Sequence, residues 1–422
     1  MNAMTESAVK RFTESIETGF EKGIMDEASR QNAISKLAEL EFPTTRVEAW
    51  KYTRVAKISK KDFSIQQLSI NDTLPFKVNS LESHVIVFVN GFYQKELSSF
   101  SAEDGIVISP LSQTEEIKPN SVETTTDEVF STLNTAYATD GIAVKIAAGK
   151  TLSKPLEVIN IQTGESVISN TRNVIIAEGS SSAHIILGYY SKDAHQCFSN
   201  VISEITVGAN AQLTIDKIQY ENNENYTVAS EQVKQDKDST FSINTITLDG
   251  ELVRNNLNIE VLGHNCETNL NGAYLTKGKQ HIDNHTVVDH QVAHCESNEL
   301  YKGVMDDDST AVFNGKVFVR KDAQKINAFQ SNGNVLLSGN ATVNSKPELE
   351  IYADDVKCSH GSTTGQLDEE AVFYLRARGL SDKNARKLLV SAFIGDVLDK
   401  ICTDEVRAHV DKMLLDRFGW EF

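Results

Sequence analysis

Cysteine is scarce in this chain of 422 residues, and what there is does not suit cross-linking. Cys197, Cys266, Cys295, Cys358 and Cys402 are odd in number and widely spaced, and no Cys-x-x-Cys pair occurs. A disulfide framework is therefore excluded, and a reducing cytoplasm is the expected setting. Each cysteine taken alone reads first as a small buried hydrophobe, Cys402 included. Positive charge is also short. With 41 basic against 59 acidic residues the formal charge is −18, so nucleic acid and anionic membrane surfaces repel the chain and are not expected as main partners. No apolar run approaches the ~18 residues needed to span a bilayer. The N-terminal "MNAMTESAVKRFTESIETGFEKG" mixes both charge signs and lacks the apolar centre of a secretory signal. The GxxxxGK[ST], GxSxG and HExxH patterns are missing, so no ATP binding and no catalytic residue is expected.

Proline nearly vanishes from the middle of the chain, where only Pro155 and Pro347 fall between Gly141 and Cys358. Helical periodicity is lost there too. Strand-like pieces follow one another, among them "RNVIIAEG", "AHIILGYY", "AQLTIDKIQY" and "ELEIYADDV". In the last, Leu349, Ile351 and Ala353 share one face and Glu350, Tyr352 and Asp354 the other. Small or polar clusters recur before strands, and Ser182, Ala211, Thr240, Cys266, Thr310 and Ala341 mark them at spacings of 29, 29, 26, 44 and 31. The 44 reads as a skipped turn. A repeat in the high twenties predicts a solenoid of stacked coils. A sandwich or barrel would instead turn every ~8–12 residues. About eight coils at ~4.8 Å each would make a trunk of ~38 Å.

Helices flank this region. "HVIVFVNGFY" reads as two strand pieces around the turn pair Asn90-Gly91, and a short helix is expected at Asp127–Ala138. After Cys358, "LDEEAVFYLRARG" carries acids in its first turn and ends at Gly379. Two more helices open at Ser381 and Thr403. The expected organisation is an N-terminal helical region at 1–80, a mixed lead-in at 81–140, a solenoid core at 141–360 and a C-terminal helical domain at 361–422.

Chemistry concentrates where the solenoid gives way to helices, in "YADDVKCSHGSTTGQLDEE". Residues i and i+2 of a strand face one way, so Cys358 and His360 can address one ligand. Iron in a cluster wants about four donors, mostly thiolate with occasional imidazole. Cys358 and His360 supply two, with Asp354, Asp355 or a folded-over residue left open as others. Two donors suit a transient site completed by another chain, and a charged imidazole nearby would favour the thiolate. A second histidine-rich run, "QHIDNHTVVDHQVAHC", places His281 and His285 on one strand face and His290 and His294 on the other, unless a turn intervenes. The expectation is structural or subunit-contact histidines, with a metal role left open.

The same residues carry a family resemblance. "YADDVKCSHGSTTGQLDEEAVFYLRARGLS", "DNHTVVDH", "LYKGVMDDDSTAVFNGKVFV" and "PTTRVEAWKYT" resemble the SufB/SufD family of the SUF iron–sulfur cluster assembly machinery, and its SufD branch more than its SufB branch. The resemblance runs from about Pro43 to the C-terminus. It implies a mainly β protein, a right-handed parallel β-helix flanked by N- and C-terminal helical regions. It implies a non-catalytic scaffold paired with a SufB-like paralogue, with a homodimer as an option in isolation. The C-terminal helices would be bound by a SufC-like ATPase, through side chains such as Leu388, Leu389, Phe393, Val406 and Val410. Cys358 and His360 match residues implicated in a transient iron or iron–sulfur cluster site at the subunit interface. Reduced flavin is associated with family complexes, but no flavin fingerprint occurs here, which leaves flavin open. The alternatives are a SufB-like cluster-bearing scaffold, a carbohydrate-active β-helix enzyme and a free-standing homodimeric adaptor or iron carrier.

Overall fold

The computed structural model of the chain describes residues 7–120 and 128–419. Its trunk is a β-solenoid of about eight turns built from two sheets, one of ten strands and one of nine. Along the chain the strands alternate between the sheets, so each turn contributes one to each, paired in parallel with the strands of the turns above and below. In the ten-stranded sheet Ser182, Gln212, Thr240, Glu267, Glu296, Asn327 and Lys357 lie in register, at steps of 30, 28, 27, 29, 31 and 30 residues. The repeat legible in the sequence is this register. Its apparent 44-residue gap is not a skipped turn: Cys266 leads into one sheet, whereas Thr310 pairs with His281 and Thr342 in the other.

Corner chemistry explains the periodicity. Two residues before each of those positions except Lys357, the residues Ser180, Asn210, Asp238, Asn265, His294 and Lys325 all have φ between 57° and 65°. The left-handed region costs a side chain least when it is Asn or Asp, whose short polar groups bond locally. Between corners, alternate residues point into a lumen filled by one apolar cluster that runs from Ile86 to Ala353.

The two ends of the trunk differ. At the first, strand His84–Val89 turns through Asn90 and Gly91 into the antiparallel strand Phe92–Tyr93, and strand Ile106–Pro110 runs antiparallel to Ile142–Ile146. Helices α1 (Ala8–Glu17), α2 (Glu27–Leu37), α3 (Ala56–Ser59) and α4 (Glu128–Tyr137) bury Phe12, Trp50, Phe63 and Phe130 against Phe198, Tyr226 and Leu252 of the solenoid. At the second end the sheets stop at strands Thr342–Ile351 and Lys357–Gly365, and no described strand pairs with their outer edges. The chain then forms α5 (Glu369–Ala377), α6 (Asp382–Leu398) and α7 (Asp404–Phe418), capped by the side chains of Asp368, Ser381 and Thr403. Helices α6 and α7 fold back along the trunk, burying Val390, Ile394, Val397, Val406, Val410 and Leu414 against Ile246, Ala273, Leu275 and Val304. Among the described residues no helix is long and apolar enough to cross a membrane.

Candidate functional site

Cys358 and His360 lie in strand Lys357–Gly365, the last of the ten-stranded sheet. Cys358 is in register with Ala328 and His360 with Gln330, both buried, so the two side chains belong to the lumen-facing row at the last turn. Cys358 is half-buried and packs on the lumen cluster, while His360 is exposed. Burial pushes the Cys358 thiol up, against a lowering backbone bond from Ala328. His360 stands two residues further along the same strand, on the same turn.

Beneath His360 the register continues inward through Gln330 to Glu299. Gln330 Nε2 donates to Glu299 Oε2 at 2.6 Å and Thr286 Oγ1 donates to Oε1 at 2.5 Å. Burial pushes the Glu299 carboxyl up to about 7, more than these two hydrogen bonds lower it. The last turn is tied to itself by Ser345, whose hydroxyl bonds Ser362 Oγ at 2.7 Å and donates to Asn332 Oδ1 at 2.8 Å. Among the described residues no group of three or more His, Cys, Asp or Glu side chains is arranged to hold a metal ion. A thiol and an imidazole in one row fit two positions of a sulfur- and nitrogen-ligated iron and leave the rest to another molecule.

The other histidines separate. His281 and His285 face outward beneath the N-terminal region: His281 bonds Thr53 Oγ1 at 2.8 Å, and His285 pairs with Asp283 at 2.9 Å. Burial lowers both imidazoles. Asp283 also accepts from Arg254 at 2.6 Å, and Arg254 stacks on Trp50 at 4.1 Å. His290 faces the lumen, wholly buried, 2.9 Å from Ser297 Oγ, whereas His294 is a corner residue with positive φ. His290 and His294 therefore do not share a face, because the strand ends at His290.

The C-terminal helices present a second feature. Val406 and Val410 are fully buried against the trunk, so their side chains hold α7 in place and do not face outward, contrary to the docking role expected of them. Phe393 is half-buried over Gly333, with Lys302 above its ring at 4.7 Å. Leu388 is 47 % exposed, and with Leu389 it lines a groove of about 1100 Å³ between α5 and α6. Phe373 and Tyr374 line the same groove at 72 % and 57 % exposure. Sequence reasoning did not single them out, although adjacent aromatics on a short helix cannot both face one core. Cys402, expected to be buried, is exposed.

The SufBD protein N-terminal region model matches residues 7–158, and the SUF system FeS cluster assembly, SufBD core domain model matches residues 160–393. An iron–sulfur cluster assembly SufBD family protein of Synechocystis is 33% identical over 88% of this chain and 86% of its own length. The iron–sulfur cluster assembly protein SufD of Escherichia coli is 30% identical over 90% of each chain. A chloroplastic protein of Arabidopsis, ABCI7, is 26% identical over 91% of this chain and 85% of its own. With both regions matched end to end on a solenoid flanked by helices, the chain belongs to the SufBD family of the SUF system for iron–sulfur cluster assembly.

Proposed function

We propose that this chain is a non-catalytic scaffold subunit that pairs through its open solenoid end with a SufB-like paralogue. The observation that carries this reading is the unpaired edge of strands Thr342–Ile351 and Lys357–Gly365. Unpaired N–H and C=O groups are a template for another chain's strand. Pro347 removes one donor from the first of these strands, but the second carries no proline at all. A partner strand laid there would bring its own donors next to Cys358 and His360, completing a transient site for iron or a nascent cluster, which is cargo and not a resident cofactor. The groove of Phe373, Tyr374, Leu388 and Leu389 is the docking surface for a SufC-like ATPase, whose turnover would act on the solenoid through α5 and α6. ATP is held by that partner, in the cytoplasm, and family membership leaves the carbohydrate-active alternative without support.

The test is co-expression with the paralogue and the ATPase, followed by affinity capture and iron and sulfide analysis. Cys358→Ala and His360→Ala are expected to preserve capture of both partners and to lower bound iron and sulfide. Full cluster content in both variants would refute the site, and loss of both partners would return the two residues to a structural role.

A further inference from the structure

Two buried thiols stand one above the other in the trunk. Cys266 and Cys295 each precede a strand of the ten-stranded sheet by one residue, and Glu267 is in register with Glu296, so the two cysteines hold the same place on neighbouring turns. The backbone is closed between them: Glu296 N donates to the Cys266 carbonyl at 2.9 Å. Both side chains reach one backbone oxygen. Cys266 Sγ donates to the Gly263 carbonyl at 3.1 Å and Cys295 Sγ donates to the same carbonyl at 3.3 Å, so the sulfurs are no further apart than those two distances together. That oxygen is fixed in place, because a Cβ on Gly263 would lie 1.9 Å from the backbone nitrogen of Lys237, and the turn closes only with glycine there. Cys266 Sγ also lies 3.0 Å from the Asp236 carbonyl and 3.6 Å from Ser239 Oγ, and Cys295 Sγ lies 3.5 Å from the Ala293 carbonyl.

Both cysteines belong to the apolar lumen cluster, yet the corner residues that precede them, Asn265 and His294, are exposed. A groove of about 450 Å³ lies over this corner, lined by Asn265, His294, Glu296, Lys357 and the paired Lys325 and Asp355. Hydrogen bonding with Cys295 pulls the Cys266 thiol down to about 6, against burial, and the same contact pushes the Cys295 thiol up. The pair therefore gives up its first proton readily and holds the second between the two sulfurs. A singly charged cation in place of that second proton leaves the charge of the pair unchanged. Thiolate sulfur selects soft ions such as Cu(I). Two metal–sulfur bonds of about 2.3 Å laid end to end come close to the ~4.8 Å between turns.

We propose that Cys266 and Cys295 form a two-coordinate thiolate site for Cu(I), held between two neighbouring turns of the trunk. Loading is an exchange of cations with no transfer of electrons. Cu(I) leaves its carrier, one bond forms from it to each sulfur, the proton shared by the two thiols goes to solvent, and the copper stays Cu(I) throughout. The Gly263 carbonyl lies beside both sulfurs and turns its negative end toward the ion. The site takes both donors from this chain and needs none from a partner, which separates it from Cys358 and His360. This inference is independent of the proposed scaffold role.

The probe is Cu(I), delivered under nitrogen as its bicinchoninate complex to the full chain carrying Cys358→Ser and Cys402→Ser, which removes the half-buried and the exposed thiol. One equivalent of Cu(I) is expected to pass from the chelator to this double-serine chain, and X-ray absorption should find two sulfur neighbours and no third. The melting temperature should rise with copper, because the ion binds the folded chain. Cys266→Ala and Cys295→Ala, each checked by its metal-free melt, should weaken binding by more than the ~10–100-fold that changes outside a ligand shell cost. If an alanine variant does not fold, the absorption spectrum of the double-serine chain decides alone. Failure of copper to leave the chelator, equal affinity in either folded alanine variant or in the urea-unfolded chain, or a spectrum with a third sulfur or with nitrogen and oxygen neighbours would each overturn the site. Displacement of the copper by one equivalent of zinc, which wants four donors, would overturn its two-coordinate geometry.

Discussion

Replacing Glu299 by glutamine should make the protein more stable at pH 8 and leave it nearly unchanged at pH 5. Glu299 is buried in the lumen two rungs inside His360, and its carboxyl titrates at about 7 against an ordinary 4.5. Its folded value is raised, so between those two pH values the folded chain binds a proton that the unfolded chain has lost. Stability therefore falls as pH rises from about 4.5 and levels off above about 7. At about 1.4 kcal/mol per pH unit, the difference between 4.5 and about 7 amounts to about 3 kcal/mol. Glutamine removes that penalty and keeps the hydrogen bonds. Gln330 Oε1 is buried without a partner, so a flipped Gln330 amide can accept from the new side chain while Thr286 donates to its oxygen. With an unfolding entropy of about 2 cal/mol/K per residue over the whole chain, the gain corresponds to a Tm higher by about 3 °C at pH 8. Calorimetry or urea melts of parent and variant at pH 5 and pH 8 decide it. A variant that melts with its parent at pH 8, or gains equally at both pH values, would refute a carboxyl whose ionisation burial opposes.

Other outcomes follow from the packing. Phe373→Asp and Leu388→Asp should abolish capture of the ATPase while leaving Tm within about 1 °C, because both side chains are exposed; retained capture in a pull-down would remove the groove from the docking surface. Val410→Asp, by contrast, buries a charge against the trunk and should cost several kcal/mol, read as loss of the cooperative melt. Lys217→Met breaks the 2.6 Å pair with Glu231 inside the trunk and leaves that carboxylate buried without its cation. A loss of about 3–5 kcal/mol is expected in urea unfolding.

Local signals in the sequence were read well where the physics is local. Asp368, Ser381 and Thr403 cap their helices as their chemistry demands, and Asn90-Gly91 turns a hairpin through positive φ. The solenoid was legible because coil after coil turns through a left-handed corner, and Asn210, Asp238 and Asn265 announce it. What stayed hidden depends on which rung stacks on which. The pattern of small residues before Thr310 resembles that before Thr240, although one opens a strand of the nine-stranded sheet and the other of the ten-stranded. A corner repeat carries no mark of the sheet it feeds. Placing Val406 and Val410 on a docking face failed for a related reason: an apolar stripe says that a helix buries one side, not against what, and here the trunk takes it. Cys402 N and His184 reach the same Asp216 carboxylate only through the return of α6 along the sheet. The Glu299–Gln330–His360 row was accessible in principle, since its steps of 31 and 30 residues are the repeat itself.

Backbone hydrogen exchange of the terminal strands tests the central claim most directly, measured on the chain alone, at a dilution where it is monomeric, and again with its SufB-like partner bound. The account predicts that amides of 342–351 and 357–365 directed at the open edge exchange rapidly in the monomer and slow at least about tenfold in the complex, as new strand pairing would require. A complex that forms while those amides keep their monomer rates, with protection appearing elsewhere on the surface, would contradict it.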